Sequence, residues 1–474
     1  MGILIGREEE KAILEEALIS SQSEMIAVWA EGRVGKTFLI KQTYTKINFE
    51  FTGILNAPLA EQLENFTSKL IEYGAPKLIA MPTTWLQAFT LLKQLLKAKK
   101  TKAKKIIFID ELPWLDTPRA RFMEALGHFW NDFAVNNNVV IVICGSAASW
   151  MIKKVVHNKG GLHNRITKLI ELQPFTLKET AAFLKANKIV LSHYQITQLY
   201  MIMGGIPYYL KEIKKGASVA QNTDRICFKK NGLLKTEFEK LFNSLFTNAD
   251  SHIAIVKALA SKWKGLTRND ILYSTGFTDG GNITKVLEEL EMSAFISTTQ
   301  PFGKTKKDKL FRLSDPYSLF YLHFIAAQKK AVEGVFLNIS KSPKWQSWCG
   351  YAFENTCLSH VDKIINALGI KAIYTETAGY IQKGNSKEQG IQIDLLIDRA
   401  DRVINICEIK FYDAPFTITK DYAAKLRTAI ARFRNATATK KSLFLTMITT
   451  YGVEKNIYAS ELVQNEITLD DLFL

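Results

Sequence analysis

Apolar residues are spaced in two ways along this chain. Strand-length, largely apolar or β-prone stretches occur at Met25–Trp29, Ile47–Leu55, Lys105–Leu112, Asn138–Ser146 and Lys168–Leu172. Between them apolar residues recur every three or four positions, as at Ile13, Leu14, Ala17 and Leu18, from Pro58 towards Tyr73, and over Thr84–Leu96. A strand buried on both faces reads as a continuous apolar run, and an amphipathic helix as a repeat of about 3.6 residues. The alternation therefore predicts a parallel α/β sheet of five strands, with helices on both faces, over residues 1–175. From Thr176 the spacing is helical throughout, broken at Gly204-Gly205-Ile206-Pro207, and predicts an all-α lid over 176–248. Residues 249–315 give three helices, the second opened by Thr267 as N-cap, and then two short strands, Phe295–Thr299 and Lys309–Leu313. An aromatic helix, Leu319–Ala327, reads as part of a connector, 316–344. Residues 345–474 return to mixed structure: a helix Trp348–Ile365 with Glu354 after its first turn, a β-prone stretch Lys371–Gln382, strands carrying Asp394 and Glu408, a helix Asp421–Phe433 and a strand Ser442–Ile448.

Composition adds two constraints. At 474 residues the chain exceeds what one core supports, and with 47% hydrophobic and 23% charged residues it is an ordinary globular protein. No apolar run approaches the length of a membrane span, so the expected setting is cytoplasmic, with no membrane partner. The five cysteines lie apart with no CxxC pair, and read as reduced core residues rather than as metal or disulfide frameworks. The net charge of +16 favours a polyanionic partner, nucleic acid first.

Chemistry concentrates at four places. After Met25–Trp29 comes Ala30-Glu31-Gly32-Arg33-Val34-Gly35-Lys36-Thr37, a strand, glycine-bearing loop and helix in the order of a phosphate-binding loop. The N–H groups from Gly32 through Arg33 and Val34 to Gly35 would cradle phosphates, Lys36 would sit on the β- and γ-phosphates, and the Thr37 hydroxyl would bind Mg²⁺. Ala30 stands where such loops usually have their first glycine. The strand ending in Asp110-Glu111 supplies a second Mg²⁺ ligand, Asp110, and a residue to polarise the attacking water, Glu111. Ser146, at the end of the next strand, is placed as a polar sensor. Arg165 could reach the γ-phosphate from its own or a neighbouring subunit, which admits a homo-oligomer.

The order helix, helix, helix, strand, strand over 249–315 is that of a winged helix-turn-helix. Asn282, Thr284 and Lys285 at the start of its third helix are suited to base or phosphate contact, and Lys304, Lys306 and Lys307 in the strand-joining loop to phosphates; DNA is the expected partner. In the last segment Glu408 and Lys410, two apart in an apolar strand, share a face. With Asp394 from the preceding strand they form the carboxylate and lysine set of a divalent-metal hydrolytic site. Asp394 and Glu408 would hold Mg²⁺, Lys410 would orient or deprotonate the attacking water, and Glu354 could add a ligand, even for a second metal.

Two resemblances follow from these residues. The set GREEE, GRVGKTFLIKQ, IIFIDELPWL, ICGSAASWM, NRITKLIELQPF and GGIPYYL resembles the archaeal-type ATPase family of AAA+-related, signal-transducing P-loop NTPases. That implies ATP and Mg²⁺ binding with the roles given to Lys36, Thr37, Asp110 and Glu111. Glu354, Asp394 and Glu408-Ile409-Lys410, on helix and strands in that order, resemble the restriction-endonuclease-like PD-(D/E)XK superfamily, with Ile393 where a proline is usual. The combined expectation is an ATPase associated with DNA, carrying a Mg²⁺-dependent nuclease domain gated by nucleotide state. The alternative is an ATP-dependent switch binding DNA or a protein, with a catalytically silent C-terminal domain.

Overall fold

The computed structural model describes residues 4–474 except 31, 78–79, 158–161, 163, 247, 329–333, 383 and 385–389, and only the backbone of Lys306. The chain divides into two compact units, Met1–Pro174 with Leu245–Thr247, and Phe175–Ser244 with Asn248–Leu474. Among the described residues no helix is long and apolar enough to cross a membrane.

In the first unit the apolar runs form five strands: β1 (Glu24–Trp29), β2 (Phe49–Thr52), β3 (Lys105–Asp110), β4 (Val139–Gly145) and β5 (Lys168–Glu171). They pair parallel in the order β2-β3-β4-β1-β5. Alternate residues share a face, so Met25, Ala27, Phe49, Phe51, Ile107, Ile109, Ile141 and Ile143 join one cluster. The helices Leu59–Glu72, Trp85–Ala98 and Phe122–Asp132 close over it with Phe66, Trp85, Phe89 and Phe122, Trp85 meeting Phe122 edge-on at 4.7 Å. Each such ring, fully buried, contributes about 1.5–3 kcal/mol. Because β1 lies between β4 and β5, and β3 beside β4, the loop after β1 opens next to the carboxyl ends of β3 and β4. In open α/β sheets that is where ligands bind.

The second unit opens with the helices Leu177–Ala186 and His193–Met203, each started by a capping box, Thr176 with Glu179 and Ser192 with Gln195. The break at Gly204-Gly205 has a steric cause: a Cβ on Gly205 would lie 1.9 Å from the Phe175 carbonyl oxygen. Helices Ala249–Ala260, Arg268–Thr275 and Gly281–Met292 precede an antiparallel ribbon of β6 (Ile296–Thr299) and β7 (Leu310–Leu313). A second sheet follows, made of β8 (Thr375–Gln382), β9 (Ile391–Arg399), β10 (Val403–Lys410), β11 (Ser442–Thr449) and β12 (Val463–Thr468). Its order is β12-β11-β10-β9-β8, antiparallel among β8, β9 and β10 and parallel among β10, β11 and β12.

The aromatic helix of the expected connector is packed: Tyr317, Phe320 and Phe324 are buried, Tyr317 donates to the Leu234 carbonyl at 2.7 Å, and Phe320 and Phe324 pack on Trp345 and Trp348. Two expectations need correcting. The helix bearing Glu354 is Pro343–Ser359, capped by Ser342 with proline at its first position, so Glu354 lies well past the first turn; a separate helix, Val361–Ala367, follows His360. Finally, β12 has no counterpart in the apolar pattern, because its mostly polar sequence occupies a sheet edge.

Candidate functional site

The loop between β1 and the helix Lys36–Thr43 is shaped by backbone conformations that few residues accept. Gly35 has φ +102° with open space around a notional Cβ, so conformation and not room requires glycine. Arg33 also has positive φ, 73°. Ala30, Val34 and Lys36 are buried, Gly32 is partly so, and Glu31 lies outside the described residues. The Lys36 charge acts on the Cys144 thiol of β4, which places the lysine beside the strand ends.

Around Asp110 three donors converge. Thr37 Oγ1–H donates to Oδ2 at 2.7 Å, while the Cys144 thiol at 2.6 Å and the Glu111 N–H at 3.0 Å donate to Oδ1. Burial pushes the Cys144 thiol well up, with the Asp110 charge adding to it, so it remains a donor. Glu111 has a left-handed backbone, φ 50°, and its Oε2 accepts from both the N–H (3.0 Å) and the hydroxyl (2.7 Å) of Ser146. Gly145 permits this approach: a Cβ there would lie 2.6 Å from Pro113 Cδ. The structure thus gathers Thr37, Asp110, Glu111 and Ser146, with Cys144 as a member that sequence reading treated as core. Its neighbourhood could have been read from strand parity, two residues before Ser146. Arg165 is placed otherwise: its Nε–H donates to Asn131 Oδ1 at 2.9 Å, an exposed contact.

The second cluster lies in the C-terminal sheet. β9 and β10 pair antiparallel through Cys407 and Leu395, which puts Asp394 in line with Glu408. Glu408 Oε1 accepts both from Lys410 Nζ at 2.6 Å and from the Tyr422 hydroxyl at 2.5 Å, leaving Oε2 without a hydrogen-bond partner among the described residues. Tyr422 comes from the helix Lys420–Thr437, started by Thr419 as N-cap. Burial acts most strongly and would lower the Lys410 ammonium, but Glu408 and Tyr422 together outweigh it and hold the group above its ordinary value. Paired in this way, Lys410 presents a charge that can orient water or stabilise developing negative charge. Asp394 is pushed up to about 7, chiefly by burial and then by the Glu354 and Glu408 charges. Its Oδ1 accepts from Gln392 Nε2 at 3.3 Å. Glu354 is buried in an ion pair with Arg312 of β7. Tyr422 and Arg312 carry no signal in the sequence, since a distant fold contact brings each of them in.

Glu354, Asp394, Glu408 and Lys410 line one cleft of about 900 Å³ with Lys264 and Tyr412. A smaller cavity of about 290 Å³, under the β6–β7 ribbon, shares Glu354, Asp394 and Lys264 with it. Among the described residues no three His, Cys, Asp or Glu side chains are grouped as a set of metal ligands.

The candidate nucleic-acid residues divide. Asn282, Thr284 and Lys285 are exposed, while Ile283, Val286, Leu287 and Leu290 of the same helix are buried. Lys304 and Lys307 are exposed, and the Lys306 side chain lies outside the described residues. The loop bearing them is anchored: Phe302 N–H donates to the Gly379 carbonyl at 2.8 Å, and its ring packs on Phe433 at 5.5 Å.

Residues 4–213 match the family model described as an ATPase domain predominantly from Archaea. The chain is 24% identical over 420 residues to the uncharacterized protein MJECL04 of Methanocaldococcus jannaschii, covering 87% of this chain and 88% of that one. Among solved structures it is similar to the Walker-type ATPase PABY2304 of Pyrococcus abyssi, with a TM-score of 0.47 and 17% identity over 67% of this chain and 96% of that one. The Aeropyrum pernix ORC2 protein, in its ADPNP and ADP complexes, gives a TM-score of 0.42 and 14% identity over 72% of this chain and 96% of that one.

Proposed function

With an ATPase domain at residues 4–213 as the premise, we propose that the protein is an ATP-dependent, DNA-associated switch whose C-terminal unit carries a metal-dependent phosphodiester-cleaving site. The nucleotide half follows from the loop geometry. Gly32, Arg33, Val34 and Gly35 present backbone N–H groups at a helix start, where anions are favoured, and Lys36 adds a fixed charge. The Thr37 hydroxyl and the Asp110 carboxylate, 2.7 Å apart, are the hard oxygen pair that suits Mg²⁺. Bound there, the ion would supply charge neutralisation at the phosphates. Glu111 is the group to orient the attacking water, and Ser146 holds it by two hydrogen bonds. Those bonds fix the carboxylate through Oε2 and leave Oε1 as the oxygen that would meet water.

The observation that carries the second half is the convergence on Glu408. Lys410 and Tyr422 both donate to Oε1, so Oε2 remains as an oxygen donor on a residue that lines the same cleft as Asp394. Two carboxylate oxygens and a lasting ammonium fit a hard divalent cation and an anionic phosphodiester. In this reading the winged-helix order of 249–315 presents Asn282, Thr284 and Lys285 to DNA, with Lys304, Lys306 and Lys307 on the phosphates, and affinity should fall with salt. The test is Mg²⁺- and Mn²⁺-dependent cleavage of plasmid and single strands with ATP, ADP or a non-hydrolysable analogue. Metal-dependent nicking lost in Lys410→Ala supports the reading, and its absence under every nucleotide counts against it. The ion pairs at Glu354 and Glu408 also suit a silent scaffold; then Lys36→Ala would abolish the protein's role in cells while Glu408→Ala would not.

A further inference from the structure

Three carboxylates line the C-terminal cleft, and two fixed cations already answer two of them. Glu408 is paired with Lys410, and Glu354, only 5% exposed, with the Arg312 guanidinium. Arg312 is itself held in place. It sits opposite Ser297 in the β6–β7 ribbon, and its Nε–H donates to the Trp263 carbonyl at 3.2 Å. A guanidinium keeps its charge at any pH a folded protein tolerates and is only weakly hydrated, so it suits a buried pair better than an ammonium would. The cleft therefore has a permanent positive charge beside Glu354.

We propose that Arg312 occupies the place of a second divalent cation, so that the cleft takes one metal ion, through Asp394 and Glu408, and Glu354 takes none. This rests on the metal-dependent reading given above. The reason is electrostatic. A carboxylate held by a buried guanidinium has little to offer a divalent ion, whereas the same carboxylate stripped of its partner is a buried, uncompensated charge that a cation would relieve. Arg312 is then a positioning residue of the site, delivered by the ribbon and not by the sheet that carries the acids.

The experiment counts ions. The full chain, without nucleotide, is titrated with Mn²⁺ and followed by electron paramagnetic resonance, scoring the ions that disappear on Glu408→Gln. Wild type should hold one. Arg312→Gln should hold that ion at least about tenfold more tightly, because Glu354 is released. Arg312→Lys, which preserves the charge, should hold one. Equal or weaker binding in a folded Arg312→Gln protein overturns the proposal, as do two Glu408-dependent ions in wild type. The wild-type count needs no substitution at Arg312 and so decides the matter even if that variant does not fold. No Glu408-dependent ion in any of the proteins removes the metal reading itself, and the proposal with it.

Discussion

Asp110 accepts from several donors, and the least usual of them is a thiol. Cys144 is fully buried and donates to Oδ1, so it fixes the rotamer in which Oδ2 meets Thr37. Cys144→Ala leaves that oxygen short of a partner and is expected to cost about 1–3 kcal/mol, read as a shift in the urea midpoint; Cys144→Ser should recover most of it. An unchanged midpoint for the alanine variant would mean the thiol contributes nothing. Asp394 makes a different prediction, with the sign set by its direction of shift. Its carboxyl lies near 3.8 when unfolded and about 7 when folded, so the native state binds the extra proton. Stability therefore falls as pH rises from about 4 to about 7 and is flat above. Asp394→Asn should remove that slope from chemical melts followed across the range, and a slope retained by the variant would assign it to another group. Residues of these two kinds differ in legibility. Lys36, Thr37, Asp110 and Glu111 were readable because one local run of chain determines where each sits. Tyr422 and Arg312 act through partners many residues away, and no local pattern records such a pairing.

At the level of elements, what the sequence betrayed was burial. The interiors of the strands β1, β3 and β4 are continuously apolar, because residues facing both sides of the sheet are buried. Alternation and length sufficed to place them, and their parallel order follows from the helices between them. β12 leaves no apolar signature because an edge strand can be polar, and the Glu354 helix begins ahead of its apolar spacing, at the Ser342 cap and Pro343. The same logic identifies the joint where an element is most exposed to damage. β4 ends in Gly145, against which the Pro113 ring and the Met151 sulfur are packed, at 2.6 Å and 3.0 Å from a notional Cβ. Gly145→Ala must displace either the segment after Asp110-Glu111 or the strand end that carries Ser146. The expected loss is about 1–3 kcal/mol from overpacking, together with a fall in ATP hydrolysis as Ser146 leaves Glu111. Gly35→Ala meets no such obstruction, and its cost comes from the positive φ alone. If Gly145→Ala kept wild-type stability and turnover, the close packing of Pro113 would not constrain the site.

For the whole molecule, the question is whether the two units communicate, since nucleotide gating of the C-terminal cleft requires a coupling free energy between sites in different compact units. Linkage makes that requirement measurable without any cleavage assay. If ATP binding at Lys36 and Thr37 changes the affinity of the Asp394–Glu408 pair for a divalent ion by some factor, the ion must change ATP affinity by the same factor. Divalent ions also accompany the nucleotide itself, so the informative quantity is a difference between proteins. The affinity for a non-hydrolysable ATP analogue is measured over a range of Mn²⁺ concentrations in wild type and in Glu408→Gln. Ion binding at Thr37 and Asp110 contributes equally to both and cancels. A gated cleft should leave a residual dependence in wild type of at least about fivefold, the lower end of typical allosteric coupling. That dependence should vanish in Glu408→Gln, and Lys36→Ala should abolish analogue binding in either background. Superimposable curves for the two proteins would mean that the units bind their ligands independently. ATP would then govern whatever the first unit does, and the acids of the second would answer to substrate alone.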